Sequence, residues 1–183
     1  MGFTNNYKTA SFDGFEAKPV GDYEVILQEF KEYTYTTRDG IDSRRMSIKM
    51  LIRNDVDQCG KNGFLFHTLF RRKYPNTLDK QVEGYSFDQI MFLVKNAGLP
   101  EGKNYESLEA LLTDLTGKCV RVTMQHQGEY KGKPNEVITN IMPTMHPECK
   151  HVFKTEQSAA NDSFVAATHS TASEFIDDDL PFV

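Results

Sequence analysis

The chain has no tryptophan and only three cysteines, Cys59, Cys119 and Cys149, in 183 residues. An odd, sparse set without C-x-x-C spacing predicts no disulfide framework and suits a reducing cytoplasm. Without tryptophan, any aromatic stacking surface has to be built from Tyr, Phe or His. No apolar run approaches the ~20 residues that a membrane-spanning helix requires, so no membrane association is expected. The start, Met1-Gly2-Phe3-Thr4-Asn5-Asn6, has neither a basic nor an apolar stretch, which predicts no secretory signal. Asn6 also stands where N-myristoylation wants Ser or Thr.

Catalytic signatures are missing as well. The sequence contains no Walker loop, G-x-S-x-G, H-E-x-x-H or G-x-G-x-x-G. The carboxylates of the body are scattered, without the clusters expected of a two-metal nuclease. The expectation is a non-enzymatic protein without catalytic residues or cofactor. His146, Cys149 and His151 give one H-x-x-C-x-H string. Structural zinc takes four N/S ligands, in paired C-x2-4-C or H-x3-5-H spacings, so no metal site is assigned. Cys119, within a strand pattern, reads as buried packing.

What the chain does have is an uneven charge distribution. Its net charge is −5, and residues 151–183 carry one base, Lys154, against six acids. The whole net charge therefore belongs to the end of the chain, and the body is balanced. Twelve of the 20 residues 155–174 are Ala, Ser or Thr, the composition of a flexible linker.

Apolar periodicity organises the body. Residues 1–20 read as irregular, and Tyr23, Val25 and Leu27 then alternate with polar neighbours as a strand that runs through Phe30, Tyr33 and Tyr35 to a turn at Arg38-Asp39-Gly40. In a second strand Met46, Ile48, Met50 and Ile52 take the inward face, with Arg45, Ser47, Lys49 and Arg53 outward. A third strand runs from Phe64 to about Arg71. Ser86 with Gln89 has the arrangement of a capping box before a helix with Ile90, Leu93, Val94 and Ala97 on one face, ended by Gly98 and Pro100. A second helix starts at Ser107 and stops at Gly117, with Leu108, Leu111, Leu112 and Leu115 on one face. Two further strands carry Val120, Val122 and Met124, then Glu136 to Met142.

The order strand, strand, strand, helix pair, strand, strand is that of the OB-fold. The predicted fold is thus a mainly β, five-stranded OB-fold barrel with a helical insert. The expected layout is an irregular segment 1–20, a nucleic-acid-binding domain 21–143, a linker 144–174 and an acidic tip 175–183.

OB barrels bind along strands two and three and at the loops joining strands one to two and four to five. Residues 31–75 hold ten bases against five acids, interleaved with Tyr33, Tyr35, Phe64, Phe66, Phe70 and Tyr74. Cations that track phosphates and rings that stack on bases are what single-stranded nucleic acid requires. The residues assigned to this interface are Tyr33, Tyr35, Arg38, Arg44, Arg45, Lys49, Arg53, Phe66, Phe70, Arg71, Arg72, Lys73 and Tyr74, joined by Tyr130, Lys131 and Lys133 of the last hairpin. That hairpin reads equally as a finger closing on the strand or as a solvated tip. The third strand is also open. If Leu65 and Leu69 are inward, the phenylalanines form a stacking platform; if the phenylalanines are core, His67 and Arg71 face the ligand.

The terminal peptide Phe175-Ile176-Asp177-Asp178-Asp179-Leu180-Pro181-Phe182-Val183 is the most specific motif. It resembles the acidic tip of bacterial single-stranded-DNA-binding proteins. That resemblance implies a partner-binding hook, with Asp177, Asp178 and Asp179 on a basic rim and Leu180, Pro181 and Phe182 as the anchor. Val183 departs from the pattern by displacing the terminal carboxylate one residue beyond Phe182. The body resembles the phage-encoded single-stranded-DNA-binding proteins of the small OB-fold family. The likeness rests on Gly21-Asp22-Tyr23-Glu24-Val25, Asn96-Ala97-Gly98-Leu99-Pro100, Gly117-Lys118-Cys119-Val120 and Tyr130-Lys131-Gly132-Lys133-Pro134-Asn135. It implies a protein that coats single-stranded DNA during phage replication or recombination in the cytoplasm of a bacterial host, with replication or recombination proteins as partners of the tip and a homo-oligomer as one option. The alternatives are a strand-annealing or recombination-mediator protein, and an OB-fold protein-interaction module without nucleic acid.

Overall fold

The computed structural model describes residues 17–130 and 132–153, Tyr130 by its backbone alone. Residues 1–16, Lys131 and residues 154–183, with the tip expected at 175–183, lie outside the described residues. The chain divides into two units, Met1–His151 and Val152–Val183. Every described element falls in the first.

The elements are β1 (Gly21–Thr36), β2 (Asp42–Ile52), β3 (Phe64–Phe70), α1 (Thr77–Gln81), α2 (Phe87–Asn96), α3 (Leu108–Leu115), β4 (Cys119–Tyr130) and β5 (Lys133–Pro143). The order is the expected one, with α1 added. The five strands form one antiparallel sheet in the order β3-β2-β1-β4-β5. Alternation in β2 places Met46, Ile48, Met50 and Ile52 inward, all buried, against Leu65 and Leu69 of β3 and Val120, Val122 and Met124 of β4. Each such side chain, fully buried, contributes about 1.5–3 kcal/mol. Ile90 and Leu93 of α2 and Leu108, Leu111 and Leu115 of α3 complete the same core.

The five strands of the expected OB-fold barrel are present, but the sheet is not closed into a barrel. β3 and β5 remain the two edges of an open sheet. The helix α2 borders the gap between these edges. Its Phe92 and Leu93 line a cavity of about 380 Å³ together with His67 and Leu69 on the β3 side and Ile138 and Ile141 on the β5 side.

The helix starts also differ from expectation. The reciprocal capping box belongs to Asn76 and Asp79 at α1. Ser86 makes no cap bond at α2, because its hydroxyl accepts from Arg72 Nη2 at 3.0 Å. Asp79 replaces it: Oδ1 accepts the Phe87 N–H at 2.9 Å, and that bond, with the Asn76 N–H and Arg72, holds the carboxyl below its usual range. Ser107 does cap α3, accepting the Ala110 N–H at 3.1 Å.

A second departure concerns residues 144–151, expected to begin the linker. They are pinned to the sheet through Arg53, whose side chain is fully buried. A buried guanidinium has to satisfy its N–H groups. Nε and Nη2 donate to the two Asp55 oxygens at 3.0 and 2.6 Å, Nη1 to His146 O at 2.6 Å and Nη2 also to Glu148 O at 2.7 Å. The segment therefore folds back to supply carbonyl acceptors. Glu24, buried on β1, accepts from Thr144 and from the Met145 N–H. Gln58 bridges the Glu24 and Arg53 backbones and fixes the 54–63 loop.

Candidate nucleic-acid interface

One extra residue sets which side chains of β1 face out. The pairing with β2 slips at Gln28, so Leu27 opposes Met50 while Glu29 opposes Lys49. Such a bulge reverses the in-out parity of everything after it. Tyr23, Val25 and Leu27 point inward, and beyond the bulge Phe30 takes over that side and packs on the core. Lys31, Tyr33 and Tyr35 consequently stand on the outward face. Plain alternation from Tyr23 would have put the two tyrosines inside.

The third strand resolves in favour of inward leucines. Leu65 and Leu69 are buried, whereas Phe64, Phe66 and Phe70 are 37%, 55% and 52% exposed. His67 shares the leucine side, and burial pushes its imidazole below the usual pKa. Register then assembles a continuous surface. Tyr33 lies beside Arg45, and Arg45 beside Phe70; Glu29 lies beside Lys49, and Lys49 beside Phe66. The Tyr35 ring meets the Phe70 ring edge-on at 5.8 Å. Lys49 Nζ sits 4.2 Å from the Phe64 centroid, Lys31 Nζ 5.3 Å from that of Tyr33, and the Arg45 guanidinium 5.9 Å from that of Tyr35. These contacts hold cations and rings side by side without neutralising the charge. Lys31, Arg45 and Lys49 have no carboxylate within ion-pair distance among the described residues.

The remaining assigned residues separate from this face. Arg44, Arg71, Arg72 and Lys73 line a groove of about 550 Å³ against the 37–42 turn. There each is engaged: Arg44 with Glu32 at 3.2 Å, Arg72 with Asp79 at 3.4 Å, Lys73 with Asp39 at 3.8 Å, and Arg71 with the Glu83 carbonyl. Glu32 also accepts from the buried Tyr85 hydroxyl, which burial and that carboxylate hold in its protonated form. Arg38 is exposed in the turn, and Tyr74, 82% exposed, lies under Lys73. The assignment of Arg53 is corrected: its outward parity leads under the 54–63 loop and the 144–151 segment, not to solvent. Tyr130 (its side chain) and Lys131 lie outside the described residues, and Lys133 pairs with Tyr130 at the start of β5.

Lys31 and Phe64, which sequence reasoning counted in the basic stretch without assigning them, join the face. Their signal is the two-residue spacing from Tyr33 and Phe66. Among the described residues no three His, Cys, Asp or Glu side chains gather as a metal site, and His151 Nδ1 accepts the Asn54 N–H at 3.1 Å. No described helix is long and apolar enough to cross a membrane.

Fold and face together define a domain with one open antiparallel sheet and an aromatic, cationic side. Residues 5–160 match a family described as "Protein of unknown function (DUF669)", and the chain belongs to that family. Among solved structures it is similar to "Yeast RPA bound to ssDNA", at 8% identity and a TM-score of 0.31, covering 84% of this chain and 88% of that one. None of the curated proteins matches it.

Proposed function

We propose that this protein binds single-stranded DNA along the outward face of β1, β2 and β3, without catalysis and with little sequence preference. The observation that carries the reading is the set Tyr33, Tyr35, Phe64, Phe66 and Phe70, on three adjacent strands, set among Lys31, Arg45 and Lys49, cations without an ion-pair partner among the described residues. Large exposed rings are costly to leave in water unless something covers them. Every base offers a face to a ring, at about 1–3 kcal/mol per stacked base, so such a surface takes any sequence. In a duplex those faces are already stacked, which is why the single strand is preferred. Phe64 to Phe70 spans about 20 Å at strand rise, room for several nucleotides.

Further parts of the proposal rest on the sequence. The protein acts in phage DNA replication or recombination within the bacterial cytoplasm, and the tip Asp177–Phe182 recruits partner proteins. The barrel of the OB-fold would be the partly open form, with α2 beside the β3–β5 gap.

The test is fluorescence anisotropy with labelled oligo-dT and a duplex of equal length. Wild type is expected to favour the single strand and to weaken as salt rises. Replacing both Phe66 and Phe70 by alanine is expected to weaken it at least tenfold while leaving the melting temperature unchanged. Equal affinity for the duplex, or full affinity in the double variant, would overturn the reading.

A further inference from the structure

The slip at Gln28 that turns the tyrosines outward also brings out a carboxylate. Directly beyond it, Glu29 lies opposite Lys49, and Lys49 opposite Phe66, so an acid, a base and a ring form one row across β1, β2 and β3. Glu29 is the one carboxylate among the outward side chains that β2, β3 and the far half of β1 present on this face. It is exposed, and among the described residues no cation lies within ion-pair distance of it. Its cross-strand neighbour Lys49 turns toward β3 instead, with Nζ 4.2 Å from the Phe64 centroid. The carboxylate is thus left open to solvent in the row that holds Phe66. On a surface that holds phosphates, such a group costs affinity by like-charge repulsion unless it meets a donor on the ligand.

On the reading that this face binds single-stranded DNA, we propose that Glu29 is a specificity-determining residue, which accepts the exocyclic amine of a cytosine or adenine stacked on Phe66. Phe66 and Glu29 stand two strand spacings apart, about 10 Å, room for a base lying on the ring with its edge turned to the acid. An ionised carboxylate accepts hydrogen bonds and donates none. Cytosine and adenine offer it an amino group; thymine and uracil put a carbonyl oxygen at the equivalent place, and two acceptors repel. Lys49 beside Glu29 and Lys31 two residues on remain to hold the phosphates that flank this base. The other rings have no carboxylate in their rows and stack any base. The outcome is a bias at one position along a strand that is otherwise bound without regard to sequence.

The experiment compares labelled oligo-dC and oligo-dU of equal length by fluorescence anisotropy at neutral pH, using the full chain. The two bases have the same ring size and differ on the edge that Glu29 would meet. Wild type is expected to bind oligo-dC about five- to tenfold more tightly. Glu29→Gln offers a donor as well as an acceptor, and Glu29→Ala offers neither. Both should bring the ratio close to one with the melting temperature unchanged, and Glu29→Gln should do so partly by a gain for oligo-dU. Equal wild-type affinities, a preference for oligo-dU, or a ratio that survives both substitutions would overturn the proposal and leave single-strand binding standing. Failure to bind either oligonucleotide would overturn the DNA-binding reading itself, and the role of Glu29 with it.

Discussion

Arg45 and Arg53 lie eight residues apart on or just beyond the same strand, and their surroundings are opposites. Arg45 is solvent-facing, rests beside the Tyr35 ring and has no carboxylate partner among the described residues. Arg53 is fully buried, bidentate with Asp55 and bonded to two carbonyls. One guanidinium has charge to offer a ligand; the other has already used every donor to hold the chain. A count of local bases treats the two alike, but desolvation and partners decide which contributes to a binding field.

Four variants sharpen or break this contrast. The largest effect is expected for Arg53→Ala, which strands Asp55 and Glu24 and should cost about 3–5 kcal/mol in chemical denaturation while leaving oligo-dT affinity unaltered in the folded fraction. Next is Asp55→Asn. The Arg53 guanidinium holds the Asp55 carboxyl well below the ordinary range, so the unfolded chain takes up the proton first. The stabilisation is complete above about pH 4 and fades as pH falls below it. The variant should be about 1.5–3 kcal/mol less stable at pH 7, with the gap to wild type narrowing in acid; a gap constant from pH 7 to 3 would refute the assignment. At the solvent-exposed end of the contrast, replacing Arg45 and Lys49 together by glutamine should weaken oligo-dT binding roughly tenfold at moderate salt, lower the salt slope by about 1.4 and spare stability. The smallest change belongs to Lys73→Gln. Its pair with Asp39 is exposed and 3.8 Å long, so the melting transition should move by less than about 0.5 kcal/mol.

Much of the scaffold could be read from periodicity. The inward set of β2, the apolar faces of α2 and α3, and the Gly98 and Gly117 stops all stand where spacing puts them. The failures have physical causes. Gln28 is an ordinary strand residue, with no Gly or Pro to mark the slip, so the phase change in β1 was invisible. In β3 both faces are apolar, and alternation alone offers no choice between them; the match of Leu65 and Leu69 to Met50 and Met46 across the ladder makes it. At α1 the Tyr74-Pro75-Asn76 string reads as a break, although Asn76 and Asp79 have the spacing that caps a helix. Arg53 shows that outward is a direction, not an exposure: parity was right about where it points and silent about what covers it. The open sheet has a related reason: strand order is written in the chain, but whether the two edge strands, β3 and β5, pair is not.

The slip at Gln28 also has a developmental reach, as it were, for the surface of the whole domain. With the slip in place, the far half of β1 presents rings; the same sequence paired without it would present Phe30, Glu32 and Thr34 and turn the tyrosines beneath the sheet, whereas deleting Gln28 would straighten the strand and leave the rings where they are. The aromatic, cationic patch proposed to bind DNA thus owes its exposure to a slip of one residue in strand pairing, some way upstream of its rings.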